Sequence, residues 1–288
     1  MSRYILKIDC PETLGIVRSV SNFLYEIDCT VLEAAEYADL EKQRFFARWE
    51  FSKSSADAPA LTLAQIREKF QPLAAQFDMH WELYDAEAKP RILIAVSQHG
   101  HCLNDLLFRW QEEAESFPAE IVGVVSNHEV FRDKVEWYGL PFHYLPVNAR
   151  NKPEQEQKIR DIMQDSQAEL LVLARYMQIL SDAMCRHLQG RAINIHHSFL
   201  PSFKGARPYH QAHARGVKVS GATAHYVTSD LDEGPIIEQD VQRHEHNHDS
   251  ARMARMGKNI ETLVLARAVY WHCQRRIILD GNRTVIFK

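Results

Sequence analysis

RILIAVS at residues 91–97 is an apolar run of strand length, bounded by Arg91 and Ser97. A helical pattern over residues 103–115 follows it, and then a second such run, EIVGVVS at 120–126. The rhythm repeats through a helix at 130–138, FHYLP at 142–146, a helix at 154–164 and ELLVLA at 169–174. Strands that are apolar almost throughout, alternating with helices, predict a mostly parallel, doubly wound α/β sheet covered on both faces. Ligands of such a sheet bind at the carboxyl ends of its strands. The pattern continues with a helix at 182–188, AINIHHS at 192–198, a short helix at 209–215, and strands at 217–227 and 236–242. A long amphipathic helix at 250–273 follows, with Ile260, Leu263, Val264, Ala268 and Trp271 as its docking stripe, and then a final strand at 284–287.

Toward the N-terminus the periodicity changes. YILKID at 4–9 reads as a strand, and Pro11-Glu12-Thr13-Leu14-Gly15 opens a helix with Ile16, Val20, Phe23, Leu24 and Ile27 at helical spacing. Strands at 30–37 and 44–51 flank the polar turn Asp39-Leu40-Glu41-Lys42, and a helix at 61–77 and a strand at 79–84 complete the order βαββαβ. That order predicts a ferredoxin-like antiparallel sheet with both helices on one face. Ala86-Glu87-Ala88-Lys89-Pro90 reads as a linker. The expected division is therefore 1–85, a linker at 86–90, and 91–288, in keeping with two domains for 288 residues.

Composition narrows the function classes. A net charge of -4 without a Lys/Arg block argues against nucleic acid as a partner. No apolar run approaches the ~20 residues of a membrane span. The opening Met1-Ser2-Arg3-Tyr4-Ile5 enters a strand directly, without the features of a secretory signal, which leads us to expect a cytoplasmic protein. Five scattered cysteines (10, 29, 102, 185 and 273) contain no CxxC pair and are expected to be reduced.

Two clusters carry chemistry. In Ala192-Ile193-Asn194-Ile195-His196-His197-Ser198, the isoleucines alternate with Asn194 and His196, so an amide and an imidazole share one face of a strand. Pro201 and the following Ser202-Phe203-Lys204-Gly205 end that strand in a loop. Acyl transfer needs donors for a developing oxyanion and an acid/base group, which Asn194 and His196 supply if a carboxylate stands near the imidazole. The second cluster, His225-Tyr226-Val227-Thr228-Ser229-Asp230-Leu231-Asp232-Glu233-Gly234-Pro235, leaves a strand for an acidic loop ending in Gly-Pro. His244-Glu245-His246-Asn247-His248 is weighed as a metal site and read as a solvated turn before an Asp249-Ser250 helix cap, so no metal is expected. His197 is expected to pack structurally, and His210 and His213 to lie on the surface.

Asn-Ile-His followed by Ser-x-Leu-Pro, with His-x-Val-x(4)-Asp-x-Gly-Pro downstream, resembles the folate-dependent formyltransferase family over residues 91 to about 280. The resemblance implies a catalytic Asn194, His196 and Asp232, with His225 at a family position near the carboxylate. Leu173-Ala174-Arg175-Tyr176-Met177-Gln178-Ile179-Leu180 resembles the loop that lines the family's pterin pocket, which makes Arg175, Met177, Leu180 and His225 expected substrate-binding residues. Met177 and Leu180 also read as core residues at helical spacing, whereas a pocket Arg175 needs an acceptor partner. The N-terminal segment resembles the ACT family of regulatory domains through Pro11 and Gly15. That implies an amino-acid effector at this turn or a homo-oligomer, although Gly15 also reads as a small residue for close helix packing.

Family members that formylate a phosphorylated amine carry a glycine-rich loop after the first strand. Here Gln98-His99-Gly100-His101-Cys102-Leu103-Asn104 has one glycine, so backbone amides are not free to cradle a phosphate. Water is then the remaining acceptor. The expected function is hydrolysis of 10-formyltetrahydrofolate to formate and tetrahydrofolate without a cofactor, supplying formate for purine synthesis and balancing folate pools. A phosphoribosylglycinamide formyltransferase and a catalytically silent amino-acid sensor are the alternatives.

Overall fold

The computed structural model describes residues 2–54, 61–113, 116–201 and 208–288, in two compact units. The first comprises Met1–Lys89 with Gln274–Ile278 and Val285–Lys288, and the second Pro90–Cys273 with Leu279–Thr284.

In the first unit, β1 (Arg3–Pro11), α1 (Ile16–Glu26), β2 (Cys29–Asp39), β3 (Arg44–Lys53), α2 (Leu63–Gln76) and β4 (His80–Asp85) follow the expected βαββαβ order. The sheet order is β2-β3-β1-β4, with each neighbouring pair antiparallel. Strand alternation sends Leu6, Ile8, Phe45, Ala47, Trp49 and Phe51 to one face, where they pack with Ile16, Val20 and Leu24 of α1 and Ile66 and Phe70 of α2. Phe46 and Arg48 face the other way. Gly15 adopts a φ of +98° with nothing within 4 Å of where a Cβ would stand, so backbone conformation and not close packing calls for glycine there.

The residues after 273 depart from expectation. The sequence reading assigned all of them to the second domain and predicted one strand. The structure instead forms a hairpin of β12 (Ile277–Asp280) and β13 (Arg283–Ile286). Gln274–Ile278 and Val285–Lys288 group with the first unit because Ile278, Val285 and Phe287 cover Phe46 and Ala35, the apolar side chains that its helices leave open. Arg276 grips both oxygens of Glu33, at 3.1 and 3.2 Å, and Arg48, 2% exposed, bonds Glu33 and the Gln274 carbonyl.

The second unit is a seven-stranded sheet of order β11-β10-β9-β8-β5-β6-β7. Its strands are β5 (Arg91–Val96), β6 (Glu120–Ser126), β7 (Phe142–Tyr144), β8 (Leu170–Leu173), β9 (Ala192–His196), β10 (Val219–Tyr226) and β11 (Ile236–Arg243). The first five are parallel, and β10 and β11 complete one edge in antiparallel register. The helices are α3 (His101–Glu112), α4 (Arg132–Trp137), α5 (Lys152–Asp165), α6 (Asp182–His187), α7 (Pro208–Ala214) and α8 (Ser250–Cys273). α3 begins at His101, so the segment read as a loop through Asn104 ends at Gly100. At that glycine the Phe131 ring packs so closely that a Cβ would lie 2.4 Å from it, so a larger residue would have to displace the ring. Asp249 caps α8, accepting from the Arg252 amide at 2.6 Å. Of the expected docking stripe, Ile260, Val264 and Ala268 are buried, whereas Leu263 is 42% exposed; Gly257, Glu261 and Leu265 complete the buried face. No helix among the described residues is long and apolar enough to cross a membrane.

Candidate active site

β9 delivers Asn194 and His196 to one face, as their alternation requires, and His196 is buried at 5% exposure. Across the β9–β10 ladder, Asn194 stands opposite His225 and His196 opposite Thr223. Thr223 is fully buried and ties down the chain beyond the strand: its hydroxyl donates to the Ser198 carbonyl at 2.9 Å and accepts from the Leu200 amide at 3.1 Å. The expected loop at 202–205 lies outside the described residues.

Asp232 arrives from the β10–β11 connection. It adopts a φ of +58°, and this turn is closed by the Tyr226 amide donating to the Pro235 carbonyl at 2.9 Å. The carboxylate reaches His196, with Oδ2 3.3 Å from Nδ1, and lies 3.8 Å from His225 Nε2. Burial alone would push the Asp232 carboxyl up, but the hydrogen bond from the His196 imidazole outweighs it and holds the group well below the usual carboxylate range. Asp232 is therefore ionised, and it sets the His196 proton on Nδ1. Nε2 of that ring is buried without a hydrogen-bond partner among the described residues.

His225 fixes the third member. Its Nδ1 lies 2.9 Å from the Tyr226 carbonyl and must donate to it, which leaves Nε2 to accept an N–H of the Asn194 amide at 3.2 Å. The other N–H of Asn194 makes no hydrogen bond among the described residues. The four residues drawn from two separate sequence clusters thus form one constellation at the end of β9.

The β8–α6 connection is clamped at both ends. Ser97, at the end of β5, donates its amide to the Arg175 carbonyl at 3.2 Å and accepts the Met177 amide on its hydroxyl at 2.9 Å. The Ser181 amide donates to Glu156 at 2.7 Å. Arg175, at φ +65°, is 8% exposed, and Nη1 lies 3.5 Å from Glu261 of α8. Leu180 is buried in the core with Met184 and Leu188, whereas the Met177 side chain is 55% exposed, so the core reading describes Leu180 and not Met177.

Sequence reasoning missed Glu261. It is 1% exposed, and Oε2 pairs with His101 Nε2 at 2.7 Å as well as with Arg175. A signal existed: a carboxylate in phase with Gly257, Val264 and Leu265 on an apolar helix face. His101, Cys102 and Glu261 present donor atoms within 4.8 Å of one another, a set that could hold a metal ion. Arg175 beside the same carboxylate oxygen opposes adding a dication there.

The histidine-rich segment after β11 is a turn but not a solvated one. His244 and His248 are buried, because His244 Nε2 bonds the Ser220 hydroxyl at 2.6 Å and the two rings pack 5.8 Å apart. His210 and His213 are exposed as expected.

His197 stands 5.3 Å from the His196 ring. Burial first, and the Arg175 charge second, push its pKa down to about 3. An unfolded chain takes up this proton near pH 6.5 and the folded chain not before about pH 3, so protonation favours unfolding throughout that window. His197→Gln should remove on the order of 3 kcal/mol of stability loss between pH 7 and pH 4. Chemical denaturation at the two pH values checks this, and parallel losses in variant and parent would refute it.

Comparison with known proteins decides the family. Residues 90–269 match the family described as Formyl transferase. Formyltetrahydrofolate deformylase of Corynebacterium sp. (strain P-1) is 48% identical over 99% of this chain and 98% of that protein. The chain belongs to the formyltetrahydrofolate deformylase family. A solved formyltetrahydrofolate deformylase from Pseudomonas syringae pv. tomato superimposes with a TM-score of 0.94 at 43% identity, covering 100% of this chain and 95% of that one. A glycinamide ribonucleotide transformylase from Symbiobacterium toebii is less similar, with a TM-score of 0.66 and 26% identity over 72% of this chain and 98% of that one. The deformylase match extends over both units, including the N-terminal one that the Formyl transferase match leaves out.

Proposed function

We propose that this chain hydrolyses 10-formyltetrahydrofolate to formate and tetrahydrofolate, with Asn194, His196 and Asp232 as the catalytic residues. The whole-length likeness to deformylases supports the reaction. The observation that carries the residue roles is the buried His196 ring, held by Asp232 on Nδ1 and without a hydrogen-bond partner on Nε2 among the described residues.

Water held against Nε2 loses a proton to it while the water oxygen bonds to the formyl carbon. The carbonyl oxygen becomes anionic and accepts the second N–H of Asn194. The intermediate collapses by re-forming the carbonyl and breaking the bond to N10, which takes the proton from Nε2 as it leaves, and the formic acid so formed gives its remaining proton to solvent as formate. Asp232 keeps the imidazole in the useful tautomer and stabilises it while charged, and His225 keeps the Asn194 amide turned toward the substrate. Arg175, Met177 and Leu180 belong to the clamped β8–α6 connection, whose fixed backbone suits hydrogen bonding to a pterin ring. This sequence of steps needs no cofactor and no metal.

The first unit, in this reading, is an ACT-like regulatory domain that takes an amino-acid effector at the Gly15 turn and associates copies of the chain into an oligomer. The reaction supplies formate for purine synthesis and balances the folate pools of the cytoplasm.

Formate release from 10-formyltetrahydrofolate, measured in chelator without any amine, tests the reaction. We expect turnover in the parent and a loss of roughly 10²- to 10³-fold in kcat for Asn194→Ala, the effect of removing one oxyanion donor. Turnover that requires an added phosphorylated amine would make the chain a transferase.

A further inference from the structure

The β9–β10 ladder ends at the pair formed by His196 and Thr223. Beyond it the chain runs through Ser198 and Leu200, each 4% exposed, whose backbone polar groups must find partners outside the ladder. Two side chains supply them. Thr223 stands opposite His196 on one side and opposite Gln239 of β11 on the other, and residues directly opposite on antiparallel strands share a face of the sheet. His196, Thr223 and the partly buried Gln239 therefore form one row across three strands. The Thr223 hydroxyl gives its single proton to the Ser198 carbonyl, and its lone pairs take the Leu200 amide and, at 2.9 Å, a proton of Gln239 Nε2. The other Nε2 proton of Gln239 goes to the Leu200 carbonyl at 3.1 Å.

The row connects this clamp to the reacting group. His196 is the last residue of β9, and its Nδ1 faces Asp232 at 3.3 Å, the long end of an N–H···O bond, so a further separation of roughly half an ångström ends the contact. Asn194 lies one row inward, opposite His225, and its bond to that ring draws nothing from Gln239. Loss of the clamp thus reaches the base and leaves the oxyanion donor in place. Without the Gln239 amide, the Leu200 carbonyl and one Thr223 lone pair lose their partner in a buried segment, which costs more than the bonds themselves contribute, and the segment must shift to recover it.

We propose that Gln239 is a positioning residue for the hydrolysis: through Thr223 and the Leu200 carbonyl it holds the end of β9 so that His196 keeps Nδ1 on Asp232. The inference rests on the hydrolytic reading above and deepens it, by assigning the placement of the base to a side chain two strands away that acts only through others.

The test uses the full chain. Gln239→Met keeps the side chain's length and removes both donors. We expect kcat for formate release to fall roughly 10- to 100-fold, the scale of a misplacement of up to an ångström, with KM changed less than about threefold. The downfield proton resonance of His196 Nδ1, assigned by its loss in His196→Gln, should shift or broaden in the same variant. Thr223→Val should show the same two effects, and Thr223→Ser, which keeps the hydroxyl, much smaller ones. Gln239→Glu adds a pH readout: the ionised carboxylate repels the Leu200 carbonyl, whereas the protonated acid can donate to it, so the ratio of variant to parent kcat should rise as pH falls. A Gln239→Met protein that melts earlier but keeps kcat and the resonance overturns the inference. If that variant does not fold, the pH ratio decides, and a flat ratio overturns the inference, as does failure of both variants to fold, since the residue would then be structural. Absence of formate release by the parent would sink the hydrolytic reading, whereas the resonance would still decide whether Gln239 holds His196.

Discussion

Asp232→Asn leaves the shape of the site intact and lowers kcat by roughly 10³- to 10⁴-fold, the scale reached when an imidazole loses the carboxylate that orients it. The mechanism of the loss is specific. Asp232 is ionised and faces His196 Nδ1 at 3.3 Å, so only the tautomer with Nε2 bare is stable. An asparagine at this position can donate its own N–H to Nδ1, which moves the ring proton to Nε2 and blocks it as an acceptor. Folate binding, which draws on the β8–α6 connection, should change by no more than a few-fold. Formate-release kinetics and fluorescence titration with tetrahydrofolate separate the two effects. Full turnover in the variant would remove Asp232 from the mechanism, and a large loss of affinity would make it a binding residue.

Gly234→Ala should be nearly as damaging without touching any reacting group. A Cβ at this position would fall 1.7 Å from the Tyr226 carbonyl oxygen and 3.3 Å from His225 Nδ1. The clash is with backbone, so it cannot be relieved by a side-chain rotation, and the turn carrying Asp232 must move. That same carbonyl accepts the His225 Nδ1 proton, so the displacement reaches Asn194 through His225. We expect a stability loss of about 1–3 kcal/mol from overpacking and a fall in kcat of at least ~10²-fold from misplacement on the scale of an ångström. Thermal unfolding and kcat measured on one preparation check both. Unchanged kcat would show that the turn is not coupled to the catalytic residues.

The sequence carried much of this site because strand parity is a strong constraint. Asn194 and His196 could share a face only if AINIHHS formed a strand, and the isoleucines between them left little alternative. The bounds of α8 were equally legible, fixed by the Asp249 cap and a long apolar period. What stayed hidden was pairing at a distance. Nothing local announced that β10 would lie antiparallel beside β9 and bring His225 opposite Asn194. Buried polar residues were also misjudged, since a run such as His244–His248 looks solvated until Ser220 is found beneath it. Glu261 escaped for the same reason: a carboxylate in an apolar stripe makes sense only with Arg175 and His101 in view. The C-terminal hairpin was illegible because its purpose lies in Phe46 and Glu33, far away in the chain.

That hairpin has a bearing on how the protein is made. The first unit emerges from the ribosome early, with its βαββαβ framework complete by residue 85. Its second face is not sealed until Ile278 and Phe287 have been translated. Throughout elongation of the catalytic unit, a nascent chain therefore carries an open apolar patch around Phe46, and truncated products keep it. A chain that stops short of Phe287 cannot hide this surface, so interruption within the second unit leaves apolar side chains of the first open to solvent.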